Sequence, residues 1–501
     1  GKTYYYQVRA YKSNSAKNGV ASFSKAQKAW TIKQVVFSQI TSNSKNQVTL
    51  GWKKVSKAQG YDIYLTVTVS PKEDVSELQQ EQTAGWILKR PENGGIVGYY
   101  DISMTKQTGD DGEKIPMEGH LRYRGYDLTD IVKNCEKEKR FGFEEVAYLL
   151  LFGHLPDKKT LDDFSRLIGN LRVLPEGFAE DMILKAPSKN IMNKIARSVL
   201  ASYSYDSNPD DISTGNILRQ SIELIARLPV MAAYGYQAKS HYHDGKSLYL
   251  HTPQPRLSTA ENLLYMIRPD NKYTREEAEM LDVLLMIHAE HGGGNNSAFT
   301  TRVVSSSDTD TYSAIAAAIG SLKGSKHGGA NAKVMGMMEE IKANVKHWED
   351  DEEVKAFLAK ILRKEAFDGS GLIYGMGHAI YTYSDPRCIL LKEKAGQLVS
   401  NHPEFEKEFK LYCSVERLTP GVFAEVKNNH KVMCANVDMY SGFVYKMLGI
   451  PTEMYTPLFA ISRIVGWCAH RLEEVIGCGR IIRPAYKSMV HSKEYTKIDN
   501  R

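Results

Sequence analysis

The sequence predicts a mainly α protein with a short β-rich segment at its N-terminal end. Three observations carry that reading. From about residue 117 onward apolar residues recur with the 3.6-residue period of an amphipathic helix, and alternating strand patterns are nearly absent there. The first 70 residues have the opposite texture. Charge changes at the same place: residues 1 to 70 hold 11 Lys and Arg against one acidic residue, Asp62, while the rest of the chain sums to −4. A chain of 501 residues is also too long for one hydrophobic core, so several domains are expected.

Tyr4 to Tyr11, Val48 to Trp52 and Tyr61 to Leu65 are short runs rich in aromatic and β-branched residues, separated by Asn, Ser, Gly and Lys turns. They read as antiparallel strands. Their lysines are dispersed, which suits a solvated sheet face and not a nucleic-acid surface. The first run resembles a late strand of a fibronectin type III module, and the Val48 to Leu65 stretch resembles the early Trp-bearing strands of a following module. Residues 1–69 are therefore expected to form a partial fibronectin type III-like segment without catalytic chemistry. Residues 70–84, opening Ser70-Pro71-Lys72-Glu73-Asp74, read as linker or junction. Gly1 stands where a Met would, with no basic-then-apolar leader, so the front reads as a cut end and a signal peptide as absent or removed.

Hydrophobic residues are 42% and charged residues 25% of the chain, as in soluble globular domains. No apolar run approaches the ~20 residues that span a bilayer, which argues against an integral membrane protein. The six cysteines, Cys135, Cys388, Cys413, Cys434, Cys468 and Cys478, are scattered and include no CxxC pair. That pattern excludes a zinc ribbon or a disulfide framework and favours a reducing, cytoplasmic setting.

In the helical part, Val334, Met337, Met338, Ile341 and Val345 form one apolar stripe, and Val354, Phe357, Leu358, Ile361 and Leu362 form another. Both are expected to face a core. Gly292-Gly293-Gly294 and Gly369-Ser370-Gly371 read as breaks between helices.

Histidine carries most of the chemical information. His288-Ala289-Glu290-His291 ends an apolar helical run, and its spacing is expected to set both imidazoles on one helix face. A metallopeptidase needs His at i and i+4 with Glu between, so no metal is assigned. His327 lies in Gly324-Ser325-Lys326-His327-Gly328-Gly329-Ala330-Asn331, before the Val334 to Val345 helix. The helix dipole is expected to lower its pKa and keep it neutral, able to polarise a carbonyl. The longest motif is Gly375-Met376-Gly377-His378-Ala379-Ile380-Tyr381-Thr382-Tyr383-Ser384-Asp385-Pro386-Arg387. Its glycines permit close approach to a ligand, His378 can donate a proton, and Arg387 can grip a carboxylate with two hydrogen bonds.

Together with Glu118-Gly119-His120-Leu121-Arg122-Tyr123-Arg124-Gly125-Tyr126, Phe143 to Gly153 and Arg483-Pro484, these motifs resemble the citrate synthase family of bacterial type. Met376 and Ser325 stand where that family more often has an aromatic or small residue and a proline. The resemblance implies a two-domain fold, with a large helical domain (85–326 and 441–501) and a smaller closing domain (327–440). It implies catalytic residues His327, His378 and Asp438, the last in Asn436-Val437-Asp438. It also implies an oxaloacetate site of His291, Asn295, Arg387, Arg463 and Arg483, and a CoA-binding backbone at Leu372, Ile373 and Gly375. The implied reaction condenses acetyl-CoA with oxaloacetate and water without a metal or redox cofactor. The C-terminal arginine is expected to serve a partner subunit's site, which implies a homodimer or higher homo-oligomer. Two other readings remain, a 2-methylcitrate synthase using propionyl-CoA and a non-enzymatic fibronectin-type adhesion protein.

Overall fold

A computed structural model describes residues 3–11, 37–44, 47–52, 60–68, 98–105, 114–378, 380–477, 480–483 and 493–500. The chain divides into two units, Gly1–Gln80 and Glu81–Arg501. In the first, the described strands are β1 (Thr3–Tyr11), β2 (Phe37–Ser44), β3 (Gln47–Trp52) and β4 (Gly60–Thr68). β1 pairs with β4 and β2 with β3, both antiparallel.

The second unit is mainly helical. It opens with an antiparallel sheet of β5 (Gly98–Thr105), β6 (Lys114–Tyr123) and the short β7 (Tyr126–Asp127). Arg124 takes a φ of +50° in the β6 to β7 turn, a strained value for a non-glycine residue. Its guanidinium holds it there with two hydrogen bonds to the Leu150 carbonyl, at 3.0 and 2.8 Å.

Helices α1 (Leu128–Lys137), α2 (Phe143–Phe152), α3 (Lys158–Leu171), α4 (Ile191–Ser202) and α5 (Thr214–Asp244) follow. Next come α6 (Thr259–Ile267), α7 (Arg275–His288), α8 (Asn296–Ser305), α9 (Thr311–Lys323) and α10 (Ala330–Asn344). The last are α11 (Asp351–Leu362), α12 (Pro386–Asn401), α13 (Glu406–Lys427), α14 (Asp438–Met447) and α15 (Tyr455–Ile476). Many starts are written in the sequence: Ser258 with Glu261 and Thr274 with Glu277 form capping boxes, and Asp385 caps α12 ahead of Pro386. The stripes expected on α10 and α11 are buried, from Val334 and Met337 to Ile361 and Leu362.

One helix organises the larger set. α15 is buried on every side and packs against α2, α4, α5, α7, α8 and α9. It nevertheless carries Ser462, Arg463, His470 and Arg471, whose polar groups must find partners inside the protein. Arg471 finds Thr311 Oγ1 at 3.0 Å, Ser305 Oγ at 3.2 Å and the Thr309 carbonyl at 2.6 Å. A second group packs around α14, which lies on α10 and α12, while α11 lies on α13. Among the described residues, no helix is long and apolar enough to cross a membrane.

The approach of α15 to the end of α7 requires a glycine. A Cβ on Gly466 would meet Glu290 Oε2 at 2.1 Å and the Ala289 carbonyl at 2.5 Å. Gly466→Ala is expected to cost about 3 kcal/mol or more in denaturant unfolding, the upper end of overpacking penalties. Gly320, exposed on α9 with open space around it, is the control. Gly320→Ala is expected to stabilise by ~0.5 to 1 kcal/mol.

Candidate active site

The first wall of the site is the corner after α7. The expected placing of both imidazoles on one helix face is not what forms: α7 ends at His288 and His291 lies beyond it. The reason is Tyr123, whose buried hydroxyl lies 3.0 Å from the Met286 carbonyl and 3.1 Å from that of Glu290 and accepts from the Glu290 N–H. It accepts the Glu290 N–H that a further turn would have sent to the Met286 carbonyl, and Gly292 then turns the chain at a φ of +87°. His288 Nδ1 bonds back to the Leu284 carbonyl at 2.8 Å, and burial pushes its pKa down to about 3. His291 instead stacks toward the second wall, its ring centroid 5.3 Å from that of His378 and 5.6 Å from that of Tyr381. Burial, then Arg387, His378 and Arg463, hold its pKa well below the usual value.

The second wall joins two loops. The Gly377 N–H donates to the Cys434 carbonyl at 2.7 Å, and the Asn436 N–H donates to the Gly375 carbonyl at 2.9 Å. This zipper brings His378 and Asp438 to one place. It needs Gly375, whose φ is +83° and whose absent Cβ would lie 3.0 Å from the Met439 Cα. His378 Nδ1 accepts from the Ile380 and Tyr381 N–H groups at 3.0 and 3.1 Å. The neutral imidazole therefore carries its proton on Nε2. Burial, with Arg387 adding, lowers its pKa to about 4.

Arg387 is buried, with Nη2 3.5 Å from His378 Nε2. Its two-point grip is taken by Asp385, at 3.0 Å from Nε and 2.7 Å from Nη2. Burial opposes the guanidinium's charge, but this carboxylate outweighs it and holds the pKa above the ordinary arginine value. Asp385 also accepts from the Val437 N–H at 3.2 Å, tying the start of α12 to the start of α14. Asp438 is the first residue of α14, where the helix dipole favours a charge. Burial wins, and its pKa is pushed up to about 6, with Arg387 and Arg463 pulling the other way.

The third wall carries His327 and Arg463. His327 lies in a tight turn, its N–H bonded to the Gly324 carbonyl, with Nε2 2.9 Å from Ser297 Oγ. Ser297 also accepts from Trp467 Nε1 at 3.0 Å and lies 2.9 Å from Asn295 Oδ1. Ser297 gives its one proton to Asn295 Oδ1, so in this arrangement His327 Nε2 is the donor to Ser297, and a turn of the serine hydroxyl would reverse the tautomer. The His327 pKa falls to about 4, as expected in direction, but from burial and then Arg463, not from the dipole of α10. Arg463 is buried, donates Nε to the His288 carbonyl at 2.6 Å, and stacks on Phe459 at 4.8 Å. Burial lowers its pKa to about 10.

Thus His291, His327, His378, Arg387, Asp438 and Arg463 come together. Asn295 stands at the N-cap position of α8 without a side-chain cap, its Oδ1 accepting from the Ser297 hydroxyl instead. Ile373 and the exposed Leu372 line a cavity of about 310 Å³ that His378, Met376 and Lys431 share; Gly375 does not line it. Arg483 is not in the cluster: it is exposed, in a stretch anchored by the Ile482 N–H on Ser306 Oγ at 3.0 Å. Reading the sequence alone misses Asp385, Ser297, Trp467 and Tyr123. Only Asp385 left a signal, an Asp directly before Pro at a helix start. Among the described residues, no group of three or more His, Cys, Asp and Glu could hold a metal ion.

The family model described as "Citrate synthase, C-terminal domain" matches residues 96–485. A citrate synthase of Haloferax volcanii is 32% identical over 421 residues, 83% of this chain and 99% of the relative. A 2-methylcitrate synthase of Shewanella oneidensis is 31% identical over 382 residues, 73% of this chain and 87% of the relative. A ternary complex of a Thermoplasma acidophilum citrate synthase with carboxymethyl coenzyme A and oxaloacetate aligns with a TM-score of 0.63 at 26% identity, over 76% of this chain and 93% of the other.

The raised pKa of Asp438 is also a statement about stability. Its folded value, about 6, lies above that of an unfolded Asp, ~3.9, so ionisation costs stability that is lost as pH rises between the two. Asp438→Asn is expected to gain about 2 to 3 kcal/mol near pH 7.5 and less than half of that near pH 4.5. Denaturant unfolding at the two pH values measures it.

Proposed function

Given that this chain belongs to the citrate synthase family, we propose how its residues divide the work of condensing acetyl-CoA with oxaloacetate and water to citrate and CoA. The supporting observation is the placing of one carboxyl group with a raised pKa, Asp438, among neutral imidazoles beside two buried guanidiniums. That set suits a carbon acid on one side and a dianion on the other.

Asp438 is the base that removes a methyl proton from acetyl-CoA, its pKa close enough to neutrality to hold the proton. His327 donates to the thioester oxygen from Nδ1, which requires the Ser297 hydroxyl to turn from Asn295 Oδ1 and donate to Nε2. The enol carbon attacks the ketone of oxaloacetate, and His378 Nε2–H stabilises and protonates the new alkoxide. Hydrolysis of the citryl thioester completes the reaction. Arg387, Arg463 and His291 hold the oxaloacetate carboxylates, with Asn295 at the margin and Arg483 serving the site of a second copy. A homodimer is then the smallest complete unit. Leu372, Ile373 and Gly375 receive the CoA adenine by backbone contacts. Base, acid and anion holders are all side chains, so the assignment calls for no metal or redox cofactor.

Residues 327–440 form the smaller domain, closing on residues 85–326 and 441–501 so that the enol is kept from water. The reading places the enzyme in the cytoplasm, and makes residues 1–69 a partial fibronectin type III-like segment that contributes nothing to catalysis.

The test is CoA thiol release from acetyl-CoA and from propionyl-CoA, with and without oxaloacetate. Release that depends on oxaloacetate and favours acetyl-CoA is expected; a preference for propionyl-CoA would make the chain a 2-methylcitrate synthase. In the same assay Asp438→Asn is expected to lose ~10² to 10⁴ in condensation rate while the oxaloacetate Kd stays near its original value. An unchanged rate would remove Asp438 from the base's role. In the unaltered enzyme kcat/KM for acetyl-CoA should fall tenfold per pH unit below about 6, as Asp438 takes up a proton.

A further inference from the structure

Glu290 and His470 have no part in the steps above, yet they form a wholly buried hydrogen bond, His470 Nε2 to Glu290 Oε1 at 2.9 Å. A carboxylate oxygen only accepts, so His470 carries a proton on Nε2. Two ionisable groups so far from water are costly to keep, and apolar residues would tie α15 to α7 more cheaply.

Their surroundings point to the cleft. Glu290 lies one residue before His291, and its Oε1 also accepts from the Gly292 N–H, so the carboxylate clamps both sides of the residue that faces His378. His470 lies on the face of α15 that also presents Phe459, Ser462, Arg463 and Gly466, spaced three or four residues apart. Ser462 bonds the Leu285 carbonyl, Arg463 the His288 carbonyl, and Gly466 makes room for Glu290 Oε2. The groups facing Glu290 are Arg463 and His470 on α15, and Tyr123 and Arg124 at the β6 to β7 turn. Among the described residues, Arg463 Nη1 is buried without a hydrogen-bond partner. Against its burial, the leading influence holding Arg463 charged is Glu290.

We propose that Glu290 and His470 are positioning residues for the oxaloacetate end of the site: the pair fixes the corner that presents His291 and, through the His288 carbonyl, anchors Arg463 Nε. The inference rests on the oxaloacetate reading given above. His470 reaches the substrate only through Glu290, and Glu290 acts through its neighbours.

Steady-state kinetics on the full chain test it. His470→Ala leaves a buried carboxylate short of a donor, and is expected to raise the KM for oxaloacetate about tenfold or more while the KM for acetyl-CoA stays within about twofold. His470→Gln, which can offer an N–H in nearly the same place, is expected to recover most of that loss. Glu290→Gln keeps an acceptor toward Gly292 and His470 but removes the charge. It is expected to leave the KM for oxaloacetate within about threefold, whereas Glu290→Ala, which frees both the Gly292 N–H and His470, is expected to raise it as His470→Ala does. Equal rises in both KM values, no recovery by His470→Gln, or an unmoved KM for oxaloacetate in Glu290→Ala would each overturn the proposal. If His470→Ala does not fold, the two KM values of Glu290→Ala decide. Wild-type enzyme without oxaloacetate-dependent thiol release would overturn the substrate reading and this inference together, whereas an active wild type with unsplit variants overturns the pair alone.

Discussion

Two of the guanidinium groups carried into the core line the site, Arg387 with 4% and Arg463 with 1% of its surface exposed, and most of the site's geometry answers the cost of that burial. Arg387 is answered within its own turn by Asp385, which must therefore stand at the start of α12 and reach α14 through the Val437 N–H. Arg463 is answered by a helix-end carbonyl, an aromatic face and the more distant Glu290. Bringing α15 near enough for that leaves no room for a Cβ at residue 466.

The same desolvation sorts the proton chemistry. It lowers His291, His327 and His378, so these imidazoles are neutral donors or acceptors across the physiological range. It raises Asp438 in the opposite direction, even though a helix N-terminus favours the carboxylate. Acids and bases separated by one cause need no dedicated partner for each shift. Tautomers do need partners, and two backbone N–H groups fix that of His378 while a serine hydroxyl sets that of His327.

Much of this was legible in the sequence. The α10 and α11 stripes follow from a 3.6-residue period, and the glycine breaks at 292–294 and 369–371 fall between helices, as the structure has it. His327, His378 and Arg387 stood out in short motifs, while Asp438 and Arg463 came through the family resemblance. What was not legible depends on distance in sequence. His288 and His291 look like neighbours on a helix face until Tyr123, 167 residues from Glu290, ends the helix between them. Ser297, Trp467 and His470 have no local pattern, because their partners come from other elements. The lowered pKa of His327 was expected from a dipole, but burial by the folded chain is the larger cause, and burial cannot be read locally.

Counting charge shows what one chain leaves unfinished. Arg387 stands against Asp385 and Arg463 against Glu290, while the three cleft imidazoles are neutral and Asp438 is anionic above about pH 6. Each buried cation is thus already matched before a substrate with two carboxylates arrives. A dianion entering such a site gains hydrogen bonds from both guanidiniums but adds negative charge that nothing within the cluster offsets. In the function proposed above, the balancing charge comes from Arg483 of a second copy of the chain.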